Sequence, residues 1–146
     1  MIQDFIANIY ELWGSATLYG KDGFVFSDDM YNENIYWPVF LCMVISIVIV
    51  SITYYYILNH PRLTRWYHWI VFNLATSLLN FAIGWGISYG NLYDLYHAQN
   101  MSLPYSSMTE FFPFAGICFF WTFVLFFVCS MIIKWGSKNC KHSPIL

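Results

Sequence analysis

The stretch WYHWIVFNLATSLLNFAIGWGISYGNLY, residues 66–93, contains no Asp, Glu, Lys or Arg. A helix crosses a hydrocarbon core of about 30 Å with ~20 residues, so its 28 residues are enough to span a bilayer. Two further stretches have the same character. Residues 34–61, NIYWPVFLCMVISIVIVSITYYYILNHP, are uncharged over 28 positions, and residues 111–133, FFPFAGICFFWTFVLFFVCSMII, over 23. These intervals predict three transmembrane helices over 37–59, 67–90 and 111–134. Helix is the expected form, because open strands leave backbone groups unpaired in lipid and three strands cannot close a barrel.

Composition agrees. Of 146 residues, 59% are hydrophobic, 23% aromatic and 10% charged, against roughly 25% charged in soluble domains. This excludes a soluble globular domain and a disordered tail. Six Lys and Arg in all cannot form a basic stripe against phosphates, so a nucleic-acid partner is excluded as well. The fold class expected is an all-α integral membrane protein in one membrane domain, 1–146, with the bilayer as its first partner.

The charges set the expected topology. Arg62 and Arg65 lie in the 60–66 turn, and Lys134, Lys138 and Lys141 in and beside the 135–146 tail; neither segment holds an acid. All eight acids fall on the opposite side: six in the first 36 residues, then Asp94 and Glu110 in the 91–110 loop. By the positive-inside rule the basic side is cytoplasmic, which gives N-out and C-in, and in a bacterium an inner-membrane location. The five bases are then membrane-surface groups facing anionic headgroups. Tyr36, Trp37, Tyr54 to Tyr56, Trp66, Tyr67, Trp69, Tyr89 and Trp135 sit near the inferred interfaces, where amphipathic rings are favoured. Residues 1–20 show no basic n-region and no uninterrupted apolar run, so the first span is expected to serve as its own signal anchor.

Residues 2–13 place apolar side chains at 2, 5, 6, 9, 12 and 13 and polar ones at 3, 4, 8 and 11. This is helical periodicity, and predicts a short amphipathic helix on the outer side, lying on protein or in the interface plane. Residues 14–30, with Gly14, Gly20, Gly23 and Asp28-Asp29, read as loop, with Phe24 to Phe26 as a short strand or anchor. The third span is expected to be capped by Ser107 or Thr109, with Glu110 and Pro113 in its first turn.

The middle span is the informative one. Asn73, Ser77, Asn80, Gly84 and Ser88 are spaced 4, 3, 4 and 4 apart, so they share one helix face. Leu74, Leu78, Phe81 and Trp85 are read as the opposite face. Two asparagines inside a span must face protein or water. The stripe is therefore helix packing, pore lining, or a site for a polar ligand or lipid headgroup. Gly86 and Gly90 form a literal GxxxG packing motif. In the third span Ala115, Cys118, Thr122 and Cys129 form a weaker seam, with Phe119, Phe120, Phe123, Phe126 and Phe127 as the bulky remainder. The first span offers Cys42, Ser46 and Thr53.

Other chemistry is thin. No in-span Asp, Glu, Lys or Arg supports ion coupling, and no internal repeat supports alternating access. Catalysis would need convergent polar groups. Asp94 with His97 is the only near pair on the outer side, so no enzyme activity is expected. The four cysteines have no CxxC spacing. Cys140 with His142 falls short of the three or four ligands a zinc site needs, and neither a metal nor a cofactor is expected. His68 reads as an interfacial residue beside Arg65 and Trp69.

By topology and tail charge, though by no residue motif, the pattern resembles class I phage holins, and in size it is similar to small membrane effectors of phage defence. The single-faced stripe, in a chain too small to enclose a conduit alone, points to a homo-oligomer forming a pore, or a membrane effector, with Asn73, Ser77, Asn80, Gly84 and Ser88 at its lining. The alternative is a non-catalytic accessory subunit of a larger complex of other membrane subunits. A third reading has the outer tail and the 91–110 loop recognising a partner.

Overall fold

The computed structural model describes residues 2–12, 23–57 and 66–134. Among these the chain is helical, without strands. A short helix α1, Ile2–Tyr10, precedes α2, Gly23–Asn32. Next comes α3, Tyr36–Ile52, which runs on into a π-helical turn, Thr53–Ile57. The long α4, Trp66–Ala98, follows. A second π turn, Ser107–Phe111, leads into α5, Phe112–Lys134. Three of these rods are long and apolar enough to cross a membrane: Tyr36–Tyr56, Tyr67–Ala98 and Ser107–Ile133. The protein is thus an all-helical membrane protein built on three spans. Arg62, Arg65, Lys138 and Lys141, with Trp13, Cys140 and His142, lie outside the described residues, and Lys134 closes α5.

Two expected loops are helix instead. Residues 23–32, read as loop or strand, form α2. Gly23, Phe26, Ser27 and Met30 are its buried face, so tertiary packing outweighs the weak local signal of Asp28-Asp29. The middle helix does not stop at 90 but continues eight residues to Ala98. Its 33 residues at ~1.5 Å rise give about 50 Å, longer than a hydrocarbon core of about 30 Å. Asn91, Asp94 and His97 therefore ride on a helical extension beyond the apolar part of the rod.

Helices α2 and α4 are each followed by an asparagine in the left-handed region. Asn34 has φ 53° and Asn100 φ 55°. Ile35 N donates to Met30 O (2.9 Å) and Asn34 N to Tyr31 O (3.0 Å); Met101 N donates to Tyr96 O (2.9 Å) and Asn100 N to His97 O (3.0 Å). This is the Schellman pattern, with asparagine tolerating the left-handed position. Ile35 and Met30, buried at 1% and 0%, supply the hydrophobic contact that accompanies it.

The third rod is capped earlier than expected. Ser106, not Ser107 or Thr109, is the cap: its Oγ accepts from Met108 N (3.4 Å), and the Glu110 carboxylate accepts from Ser106 N (2.7 Å). Pro113 consequently lies beyond the first turn. Its ring nitrogen has no hydrogen to donate back along the helix. The ladder widens just before it, where Phe112 N reaches Ser107 O, five residues back.

The core sits in two clusters. At the head, Tyr10, Phe26, Tyr36, Phe111 and Phe114 are all essentially inaccessible. Tyr10 stacks on Tyr36 (5.5 Å, 14°), and Phe26 meets Phe111 edge-on (5.4 Å, 88°). Nearer the other end, Met43, Ile47, Tyr54, Tyr55, Trp69 and Phe126 pack together. Phe126, expected among the bulky outward residues, is fully buried. The inward stripe of α3 is Tyr36, Val39, Met43, Ile47 and Ser51; Cys42, Ser46 and Thr53 flank it at intermediate exposure.

Candidate functional site

The polar stripe of α4 is interior to the chain. Asn73, Ser77 and Ser88 are 0% exposed and Asn80 2%. Most of its hydroxyls bond back to their own helix. Ser77 donates to Asn73 O (2.9 Å), Ser88 to Gly84 O (2.7 Å) and Thr76 to Phe72 O (2.8 Å). On α5, Thr122 does the same toward Cys118 O (2.7 Å). In an apolar surrounding this pairing removes the cost of an unsatisfied polar group.

From the apolar part of α4, three side chains reach across to α3 and α5. Asn80 Nδ2 donates to Ser46 Oγ of α3 (2.7 Å) and to Thr76 O (3.0 Å). Asn73 Nδ2 makes a longer contact with Phe123 O of α5 (3.4 Å). Trp69 Nε1 donates to Ser130 Oγ (3.0 Å). Between α4 and α5, Gly84 faces Cys118 and Ala115, and a Cβ at 84 would lie 2.7 Å from Cys118 Sγ. Ala115, Cys118 and Thr122 are all 0% exposed. Gly86 and Gly90 differ: a Cβ at either would meet nothing within 4 Å, so among the described residues they pack against no helix. Leu74 and Leu78 do face outward, whereas Phe81 and Trp85 lie half-buried against Phe112 (5.3 and 6.0 Å between ring centres).

The head is the second polar region, held by tyrosine–carboxylate bonds. Asp29 Oδ2 accepts from both Tyr96 (2.7 Å) and Tyr105. This pins α2 to the extension of α4 and to the connector after it. Tyr36 donates to Glu11 Oε1 (2.7 Å) and Tyr31 to Asp4 Oδ1, both of which tether α1. Burial, with the Asp29 carboxylate beside it, pushes the Tyr105 phenol above its ordinary value. The 91–110 segment, expected as a solvated loop, is thus part helix and part packed connector.

The amphipathic α1 has three faces. Ile6, Ala7 and Tyr10 are buried against α3 and α5, and Trp121 Nε1 donates to Ile9 O (3.1 Å). Asp4, Asn8 and Glu11 line a polar cleft of about 280 Å³ with Ser27, Asp28 and Tyr31 of α2. Phe5 and Ile9 roof an apolar groove of about 310 Å³ between α3 and α5, whose walls include Val44, Val48, Leu125 and Cys129. Ile2, Phe5 and Leu12 are 64–66% exposed.

Among the described residues no three His, Cys, Asp or Glu side chains are grouped to hold a metal ion. His97 stacks on Tyr93 (5.7 Å). The head bonds had no local signal in the sequence, since their partners are 25 to 76 residues apart; only the concentration of acids and tyrosines at one end hinted at them. No protein-family model, curated protein or solved structure matches this chain.

Proposed function

We propose that this chain is a non-catalytic accessory subunit that packs laterally with other membrane proteins, through an apolar girdle and an acidic head. One observation carries the reading: the polar stripe of α4 is buried inside a single chain, and large apolar side chains of the spans face outward. Ile49 (58%), Val71 (60%), Leu78 (56%) and Ile132 (71%) exemplify that exterior. A conduit needs a wetted face, and Asn73, Ser77, Asn80 and Ser88 are closed off by α3 and α5. The charge asymmetry supports N-out and C-in in a bacterial inner membrane, with the acidic head outside.

A homo-oligomeric pore or effector is the second reading. What favours it is Gly86 and Gly90 on an open helix face, a geometry suited to close approach of another helix. Lining such a pore with the α4 stripe would require α3 and α5 to part from it. Particle size and stoichiometry in nanodiscs made from native membranes separate the two. The accessory reading expects one copy of this chain with unlike subunits in fixed ratio, and no conductance from the purified chain in planar bilayers. A symmetric ring of this chain alone, with conductance altered by Asn80→Leu, would overturn it.

A further inference from the structure

We infer that the groove between α3 and α5, beneath α1, holds one acyl chain of a zwitterionic phospholipid, whose headgroup rests beside the start of α1. The groove encloses about 310 Å³ and its lining residues are all hydrophobic, Cys129 included. The one side-chain N–H among them, on Trp121, is already bonded to Ile9 O (3.1 Å). Water finds no partner there, and apolar cavities of only about 150 Å³ stay dry and take up apolar guests. Val44 and Val48 on its wall lie eight and twelve residues past Tyr36, the head end of their span. At ~1.5 Å per residue they are about 12 and 18 Å deep, near the middle of a core about 30 Å thick. At that depth the surrounding lipid presents only its hydrocarbon chains.

The roof decides between a lipid chain and a neighbouring helix. Phe5 and Ile9 close the groove toward the head. Their helix is held in place by the burial of Ile6, Ala7 and Tyr10 and by the Trp121 bond to Ile9. A transmembrane helix is a rod ~10 Å across that continues to both surfaces, so in this groove it would run into α1. An acyl chain ends inside the bilayer and can enter from the flank. That flank is open, since Val44 and Val48 are exposed, and the fixed walls lower the cost of ordering the chain.

A second cavity continues the first toward the head. Trp37, Leu41, Val44 and Val48 are spaced 4, 3 and 4 apart, so they share one face of α3, and all are exposed. At its upper end Trp37 joins Ile2, Gln3 and Asn34 around a cleft of about 260 Å³. Ile2, Phe5 and Ile9 likewise follow one face of α1. The two cavities thus lie along the same pair of faces, with amides at the head and an apolar slot in the span, the layout of an amphiphile. Charge selects among amphiphiles. Gln3 and Asn34 are neutral, and Asp4 and Glu33 adjoin them in a stretch of 61 residues that holds six acids and one base. A fatty-acid carboxylate or an anionic headgroup is repelled there, whereas a zwitterionic headgroup is not. The inference stands independently of the accessory-subunit reading.

The test uses the full chain with photo-leucine, a diazirine analogue, in place of leucine throughout. The chain is reconstituted in phosphatidylcholine, extracted into detergent, washed until bulk lipid is gone, irradiated and mapped by mass spectrometry. Phosphatidylcholine adducts at Leu125, on the groove wall, should exceed those at the outward-facing Leu78 by about tenfold. Val48→Phe, which fills the groove, should lower the Leu125 adducts by about tenfold, while Val71→Phe, on the outer face of α4, leaves them unchanged. Both positions are exposed, so neither variant disturbs the core. Phosphatidylglycerol or palmitate supplied in place of phosphatidylcholine should label Leu125 sparsely. Equal labelling of Leu125 and Leu78, indifference to Val48→Phe, or equal yields with phosphatidylglycerol or palmitate would each overturn the assignment. So would a Leu125 cross-link to a second copy of the chain or to another protein when native membranes are irradiated.

Discussion

Placing a methyl group at Gly84 tests the central packing contact of the fold. In Gly84→Ala the new Cβ would lie 2.7 Å from Cys118 Sγ and 3.2 Å from Cys118 Cβ. Rotating the cysteine moves its sulfur but not its Cβ, and Cys118 is fully buried, so the helices themselves must give. Overpacking of this kind costs about 1–3 kcal/mol. Replacing glycine by alanine in a helix returns about 1 kcal/mol. The net loss is thus about 0–2 kcal/mol, too small to interpret alone. Gly86→Ala supplies the reference, because it lies on the same helix and its Cβ meets nothing within 4 Å. The propensity gain is common to both, so the difference between the variants isolates the packing term, about 1–3 kcal/mol. The assay is reversible unfolding in mixed micelles titrated with denaturing detergent. Adding Cys118→Ala should reduce the Gly84→Ala penalty by making room for the methyl. Equal stability of the two alanine variants, or a penalty that Cys118→Ala leaves untouched, would refute the close approach of α4 and α5.

Three further outcomes follow from the same structure. Asn80→Leu removes the 2.7 Å bond to Ser46 and should cost about 0.6 kcal/mol, at most about 1.7; Asn73→Leu, which loses only a 3.4 Å contact, should cost less, as read by the same micelle unfolding. Tyr105 has its folded pKa raised by burial above the ordinary 10.0, so its contribution is fully present below about pH 10 and is lost as pH rises toward the folded value. Thermal unfolding should weaken above about pH 10, and Tyr105→Phe should flatten that decline; an unchanged alkaline slope would contradict the burial. Asn100 sits at φ 55°, so Asn100→Ala should destabilise the head by about 1 kcal/mol while Asn100→Gly is neutral or better, measured by hydrogen exchange in the last turn of α4.

Much of the architecture was legible because it follows from solvation. The uncharged runs at 34–61, 66–93 and 111–133 fixed where the rods lie, since a charge inside them would have been costly in lipid. The spacing from Asn73 to Ser88 placed those residues on one face, as helix geometry demands. Which neighbour covers that face was not readable: the Asn80–Ser46 bond joins residues 34 apart, and no local pattern encodes it. The error at 23–32 has the same origin. Gly23, Phe26, Ser27 and Met30 become a buried face only once α4 and α5 stand behind them. The two asparagine caps were encoded locally, but each needs a helix end already in place before it reads as a stop.

The amino-acid sequence by itself determined that the chain belongs in a bilayer, how many times it crosses and which end carries its acids. Each is a single-residue solvation preference summed along a rod. Only the tertiary structure decided that the polar stripe is closed within one chain, that Asp29 gathers two phenols, and that Gly84 lies against Cys118. Those outcomes depend on which faces meet, and faces meet through contacts between residues far apart in sequence.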